Sequence, residues 1–384
     1  MSAAPQQPRS FAGYDLHEVA VADLVSSTCR ASPVSDEGAR GEDVALRVVH
    51  QRLIRHRRAV DGFLHVNNRV AAIDHPHMLR LTDVGADGGV PYAASVWRDG
   101  IPLSALLLES APLDTRDVLR LGGQLAEALD TVHGRGIVHG TVGLPSVWIK
   151  RRRASRVPPS AALTAFGTSH LLAPILDTIE DDEASVELLF IAPEQLHGEP
   201  AGPAADQYAL ACVLFTALTG TTPFRGDSNN ELFGAHLFTE PPDATAVRDG
   251  LDPAWNDVFG RALAKDPAER FENCRTLLLA AGRCAHGAGG RPRPAATSPR
   301  PQAAGKVPVT PVASTDDVAS SWWRRRLLRI VLTVALLVML AVLAMLFTGA
   351  EVAGAAVAVT WRPAALTPRD APRSARRRRG RRRT

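Results

Sequence analysis

Aromatic residues make up only 5% of this 384-residue chain, and cysteine is scarcer still. Its four cysteines, Cys29, Cys212, Cys274 and Cys284, form no CxxC pair. That scatter excludes a disulfide framework and a zinc knuckle, and leaves reduced cytosolic thiols as the expectation. The first residues, MSAAPQQPRSFAGY, contain no apolar stretch, so no cleavable signal peptide is expected. No internal repeat is visible. No basic groove pattern runs through the folded part, so specific nucleic-acid binding is not expected. The net charge of +4 hides an asymmetry. Residues 376–383, RRRRGRRR, carry seven positive charges, and the rest of the chain is slightly acidic.

A hydrophobic content of 45% is ample for a core. Residues 1–13 read as a disordered lead-in. From 14 to 284 strand-like and helix-like pieces alternate. Residues 285–326, rich in Pro, Ala and Arg, read as an extended linker. Residues 330–347 then run for 18 positions without a charge. At about 1.5 Å per residue, 327–350 spans a bilayer as one helix. Trp322 and Trp323 suit the interface, and Arg329 can snorkel. Arg324, Arg325, Arg326 and Arg329 precede the span, and only Arg362 follows closely. The positive-inside bias therefore places residues 14–284 in the cytoplasm and the tail, 351–384, outside. A single-pass cell-membrane protein is expected. The basic tail could then hold anionic lipid head groups, as a second membrane contact.

Several short motifs follow one another in the folded part. Val44-Ala45-Leu46-Arg47 and Asp74-His75-Pro76 come first. Gly136-Ile137-Val138-His139, Ala192-Pro193-Glu194, Asp206-Gln207-Tyr208-Ala209-Leu210 and Lys265-Asp266-Pro267 with Arg270 follow. In this order and near this spacing they resemble bacterial membrane-anchored Ser/Thr protein kinases, over about residues 14–283. The resemblance implies an α+β, bilobal protein-kinase-like fold with a β-rich N-lobe and a helical C-lobe.

The same resemblance exposes what the chemistry lacks. Phosphoryl transfer needs a glycine cover over the phosphates, a lysine on them, metal ligands and a carboxylate that orients the attacking hydroxyl. His139-Gly140-Thr141 and Ala165-Phe166-Gly167 stand where such kinases carry His-Arg-Asp and Asp-Phe-Gly. Thr141 cannot serve as a carboxylate, and Ala165 offers magnesium no oxygen. The second metal ligand falls on Ser146 and the helix glutamate on Val66. The loop glycines fall on Val21, Asp23 and Ser26, and Asp23 is expected to repel phosphate. Arg47 replaces the strand lysine; it keeps the charge but not the shape. No catalytic or metal-binding residue is therefore expected. Asp43, Glu42 or the acidic run 180–183 could stand in for a lost carboxylate.

The residues that hold such a fold together remain. His139 and Phe166 occupy the stacked internal spine. Asp206 would anchor the catalytic-loop backbone, and Glu194 with Arg270 would staple the activation segment. This pattern implies a pseudokinase acting as a signalling or docking scaffold. Arg47, Ser95 and Trp97 leave a weak nucleotide cleft; no cofactor is required, and metal-free ATP is the one candidate. Thr178, followed by acidic residues, resembles a phosphothreonine ligand of forkhead-associated domains. A cognate Ser/Thr kinase and a forkhead-associated partner follow from that likeness. Two alternatives stay open: an atypical active Ser/Thr kinase, and a membrane structural protein whose span and tail do the work.

Overall fold

Residues 10–34, 41–150, 160–179 and 185–287 are described in a computed structural model of the chain, and all lie in its first compact unit, Met1–Arg293. Residues 1–9, 35–40, 151–159 and 180–184, with the acidic run, and the expected linker, span and tail beyond 287 lie outside the described residues. Among the described residues no helix is long and apolar enough to cross a membrane.

Six antiparallel strands open the fold: β1 (Ser10–Phe11), β2 (Tyr14–Ala22), β3 (Ser26–Pro33), β4 (Val44–Val49), β5 (Leu81–Asp87) and β6 (Val90–Val96). Their spatial order is β1-β2-β3-β4-β6-β5. The first strand corrects the expected boundary of the lead-in. Ser10 and Phe11 pair with Asp15 and Tyr14, and the Phe11 ring meets the edge of Tyr92, which fixes both residues. Strand β4 is buried on both faces, with Val44 and Leu46 on one and Arg47 and Val49 on the other. One face of the sheet carries a small cluster of Tyr14, Ala31, Val44, Leu46 and Ala94. The other faces helix α1 (Arg57–Ala71). Ala59, Phe63, Val66 and Val70 recur at helical spacing and form that helix's buried stripe.

A second, three-stranded sheet joins β7 (Ile101–Pro102), β8 (Val147–Lys150) and β9 (Ser160–Leu163). Helices α2 (Leu103–Ser110) and α3 (Thr115–His133) pack against it, and α4 (Thr168–Leu172), α5 (Pro193–Leu196) and α6 (Pro203–Thr219) follow in the chain. The last four are α7 (Asn229–Phe238), α8 (Ala244–Val247), α9 (Ala254–Ala262) and α10 (Cys274–Gly287). Helix α10 runs three residues past the expected domain end at 284, and Asp130 caps its start through the Cys274 and Arg275 amides.

The centre of the helical part is α6. Pro203 starts it, Gly220 ends it at φ 81°, and Ala205 to Thr219 are all buried. A helix apolar on every side belongs inside a core, and this one sits at the heart of the main apolar cluster, which runs from Val25 to Cys284. These observations describe a β-rich N-lobe and a helical C-lobe.

Candidate functional site

The loop between α3 and β8 is pinned from below. The Asp206 carboxylate, fully buried at the start of α6, accepts from the His139 amide (2.9 Å), the Gly140 amide (2.6 Å) and His133 Nε2 (2.7 Å). Its charge is shared among three donors, so burying it is tolerated. The His139 ring lies 4.6 Å from the Phe166 ring, and its Nε2 bonds to the Thr164 carbonyl at 2.8 Å. Burial lowers the His139 pKa, so this imidazole is neutral and fit for packing. Gly140 has φ 72°, and a Cβ there would stand 2.6 Å from Cβ of Ser169. The missing side chain lets the segment after Phe166 close down on the loop.

That segment takes up the remaining polar groups. Thr141 Oγ1 lies 2.6 Å from Thr168 Oγ1, which in turn donates to the Ala165 carbonyl at 2.8 Å. The Thr141 hydroxyl is therefore the donor of that pair. Ser146 Oγ accepts from the Gly143 amide and lies 3.0 Å from the Gly143 carbonyl, closing its own turn. Ala165 holds φ 69°, a left-handed conformation that costs an alanine about 1 kcal/mol.

Above the loop, Arg47 is buried to 7% exposure, and its Nη1 donates to Asp23 Oδ2 and Ser26 Oγ, both at 2.9 Å. Asp23 Oδ1 accepts from the Val25 amide (2.9 Å) and the Ser26 amide (2.6 Å). Val66, on α1, is buried and offers no charge. Its neighbour Asn67 donates instead, to the carbonyls of Phe63 (2.8 Å) and Phe166 (3.0 Å), tying α1 to the segment below. Asp43 is bound to Arg30 Nε at 2.7 Å.

At the junction of the lobes Ser95 is buried, with Oγ 3.5 Å from the Ala45 carbonyl. Trp97 meets the Trp148 ring edge-on at 6.0 Å, and Arg30 lies 5.3 Å over its face. Trp148 Nε1 donates to the Arg98 carbonyl at 3.0 Å.

Two small cavities lie in the cleft among the described residues. The larger, about 50 Å³, is lined by Asp23, Arg47, Thr141, Ser146, Ala165 and Glu187 among others. The smaller, about 20 Å³, reaches Thr28, Arg47, Asn67, Ser95, Ala165 and Phe166. Burial raises the Glu187 carboxyl to about 7, and the nearby Asp23 charge pushes the same way.

The cleft thus brings Arg47, Thr141, Ser146 and Ala165 together, and Ser95 joins Arg47 and Ala165 in the smaller cavity; Trp97 lines neither cavity and packs on Trp148 and Arg30 instead. Glu194 and Arg270 meet elsewhere, in the C-lobe. Arg270 Nη1 and Nη2 each donate to Glu194 at 2.8 Å, and both residues are buried. Thr178 is exposed, and its hydroxyl donates to the Ile175 carbonyl at 2.9 Å. Asp130, His133 and Cys274 place possible ligand atoms within 4.8 Å of one another. Hydrogen bonds already account for Asp130 and His133, and burial pushes the Cys274 thiol well up, which disfavours the thiolate a metal needs.

Sequence reasoning missed Trp148, Asn67 and Glu187. Trp148 could have been noticed as the bulkiest side chain of its strand, two residues after Ser146. Glu187 could have been noticed as an acid in an otherwise apolar run, VELLF. For Asn67 no signal was available beyond a polar residue on the buried face of α1.

The protein kinase domain family matches residues 36–278, and the chain belongs to that family. It is 32% identical to the serine/threonine-protein kinase PknD of Mycobacterium tuberculosis over 210 residues, 54% of this chain and 31% of PknD. It is 27% identical to PknB of Mycolicibacterium smegmatis over 240 residues, 61% of this chain and 37% of PknB. The match therefore spans only about a third of these relatives' length. The crystal structure of the M. tuberculosis PknI kinase domain superposes with a TM-score of 0.56 at 26% identity, covering 72% of this chain and 97% of that one. The relatives are Ser/Thr protein kinases, and the fold is the bilobal kinase fold.

Proposed function

We propose that this chain is a catalytically silent member of the protein kinase family, a membrane-anchored scaffold that docks signalling partners. One observation carries the reading. The two positions that must supply carboxylates hold Ala165, with no oxygen, and Thr141, whose hydroxyl is spent on Thr168. With neither a metal ligand nor an acceptor for the attacking hydroxyl, transfer loses terms that each supply orders of magnitude in rate. The spine, the Asp206 anchor and the Glu194–Arg270 pair sustain a rigid surface without them. Residues 327–350 would hold that surface at the membrane, with residues 14–284 in the cytoplasm. Nucleotide is dispensable in this reading.

Thr178 is the proposed input. It is exposed, and a phosphate there adds about −1.5 to −2 charges beside an acidic run for a forkhead-associated domain to read. The test uses the full chain in detergent. Incubated with an active bacterial Ser/Thr kinase and ATP, it is labelled at Thr178 and then retained by a forkhead-associated domain. The Thr178→Val variant is not retained. Equal retention of Thr178→Val contradicts the docking claim, and labelling of the chain on its own restores the active-kinase alternative.

A further inference from the structure

We infer that the nucleotide's place in this cleft is taken by the chain's own side chains: Asp23 stands in for phosphate, and the Trp148 indole for the base.

The phosphate end is the better defined. In a working cleft of this fold, backbone amides of the first hairpin and a strand cation hold the phosphates. Here the first hairpin joins β2 to β3, and its turn aims the Val25 and Ser26 amides at a single oxygen, Asp23 Oδ1, at 2.9 and 2.6 Å. Successive amides converging on one point form an anion nest. The nest is filled by an anion carried on the same turn. The other carboxylate oxygen takes the Ser26 hydroxyl (2.9 Å) and Arg47 Nη1 (2.9 Å), so the strand cation is spent on it as well. Arg47 is 7% exposed and its Nη1 is further held by Ser26 Oγ, which leaves it little freedom to turn toward a ligand. An incoming phosphate would have to break these contacts and then lie beside the freed carboxylate. The repulsion expected of Asp23 from its sequence position is thus only half of its effect; it also occupies the site.

The base end shows the same substitution. An adenine ring at this junction would bond to the hinge backbone. The Trp148 indole N–H makes such a bond, to the Arg98 carbonyl at 3.0 Å, with the ring set against Trp97. Gly100 makes room for it, since a Cβ there would stand 2.6 Å from the indole nitrogen and also strike the Ile149 carbonyl. What remains open is small. A water needs about 10–15 Å³ of such volume, so the cavities of about 50 and 20 Å³ hold a few waters and about one. Neither is lined by Trp97, Arg98 or Trp148, and Arg47 lines both. The amides and the cation of the phosphate end are therefore engaged by Asp23, and the hinge carbonyl of Arg98 by Trp148.

This inference concerns the cleft that the silent-kinase reading describes, but the two can fail separately. The experiment measures binding of a fluorescent ATP analogue, with competition by ATP, to the full chain in detergent, with and without magnesium. The wild type is expected to show no saturable binding at millimolar nucleotide. The Asp23→Gly/Trp148→Leu variant, which empties both ends, is expected to gain binding at least tenfold tighter, competed by ATP. Wild-type binding equal to that of the double variant overturns the inference, as does a cooperatively melting double variant that gains nothing. Should the double variant not fold, amide hydrogen exchange of the wild type decides. Protection of Val25–Ser26 or Trp97–Gly100 on adding ATP overturns the inference, and unchanged exchange at both supports it. Nucleotide binding without phosphoryl transfer sinks this inference and leaves the silent-kinase reading standing; phosphoryl transfer sinks both.

Discussion

Replacing Glu194 by glutamine should cost this domain more than most single changes. The glutamine keeps the shape but leaves Arg270, 3% exposed, as a buried charge without its anion. Breaking a buried pair in this way costs about 3–5 kcal/mol. Two features set where in that range it falls. The pair is bidentate, with both bonds at 2.8 Å, which raises the loss. Arg270 also keeps the carbonyls of Ala264 and Ala204, both at 2.9 Å, and stands 4.8 Å over the Tyr208 ring, which lowers it. A loss of about 3–4 kcal/mol follows. For a domain of this size each kcal/mol moves Tm by about 2–4 °C, so the midpoint should fall by about 6–16 °C. Thermal unfolding followed by far-UV circular dichroism reads it. A paired Glu194→Leu/Arg270→Met variant, which leaves no orphan charge, should recover a good part of the loss. If Glu194→Gln melts within 1 kcal/mol of wild type, the argument that this pair staples the activation segment is refuted.

Three further outcomes are expected. Ala165→Gly relieves a left-handed φ of 69° and should stabilise by up to about 1 kcal/mol in chemical denaturation; a loss would mean the conformation is unstrained. Glu187 has its folded pKa raised from 4.5 to about 7, so it favours the fold below pH 4.5 and loses that contribution as pH rises to 7. Glu187→Gln should therefore gain about 1–3 kcal/mol on wild type between pH 5 and 7.5, and a pH-independent difference would deny the shift. His236, fully buried with its pKa pushed down to about 3, works the opposite way. The unfolded state takes up a proton below pH 6.5 that the fold refuses, so stability falls by about 2 kcal/mol by pH 5. His236→Phe should flatten that limb of the stability–pH curve, and an unchanged limb would place the titration elsewhere.

The fold was legible in the sequence where local signals and motif order agreed. The apolar run after Asp206 announced a buried helix, and Pro203 and Gly220 mark its ends. The partnership of Glu194 with Arg270, 76 residues on, was legible only through the family resemblance, because no local pattern links them. The cleft was legible in what it lost and not in what replaced it. An acid in a glycine position reads as a repulsive charge; that Asp23 turns onto its own amides and Arg47 is a tertiary fact. Trp148 reads as one more apolar residue in a strand, because the hinge carbonyl that it meets lies 50 residues earlier. Ser10 and Phe11 looked disordered because their partners, Asp15 and Tyr14, make a strand only with β3 behind them.

The most direct test of the silent-kinase account is phosphoryl transfer itself. The full chain in detergent would be incubated with γ-labelled ATP, magnesium or manganese, and a general Ser/Thr substrate. The account predicts no label above background, and the same trace for wild type and for Arg47→Met. Label that appears with wild type and vanishes with Arg47→Met would mean that the chain moves phosphate by a route without Ala165 and Thr141, and would contradict it.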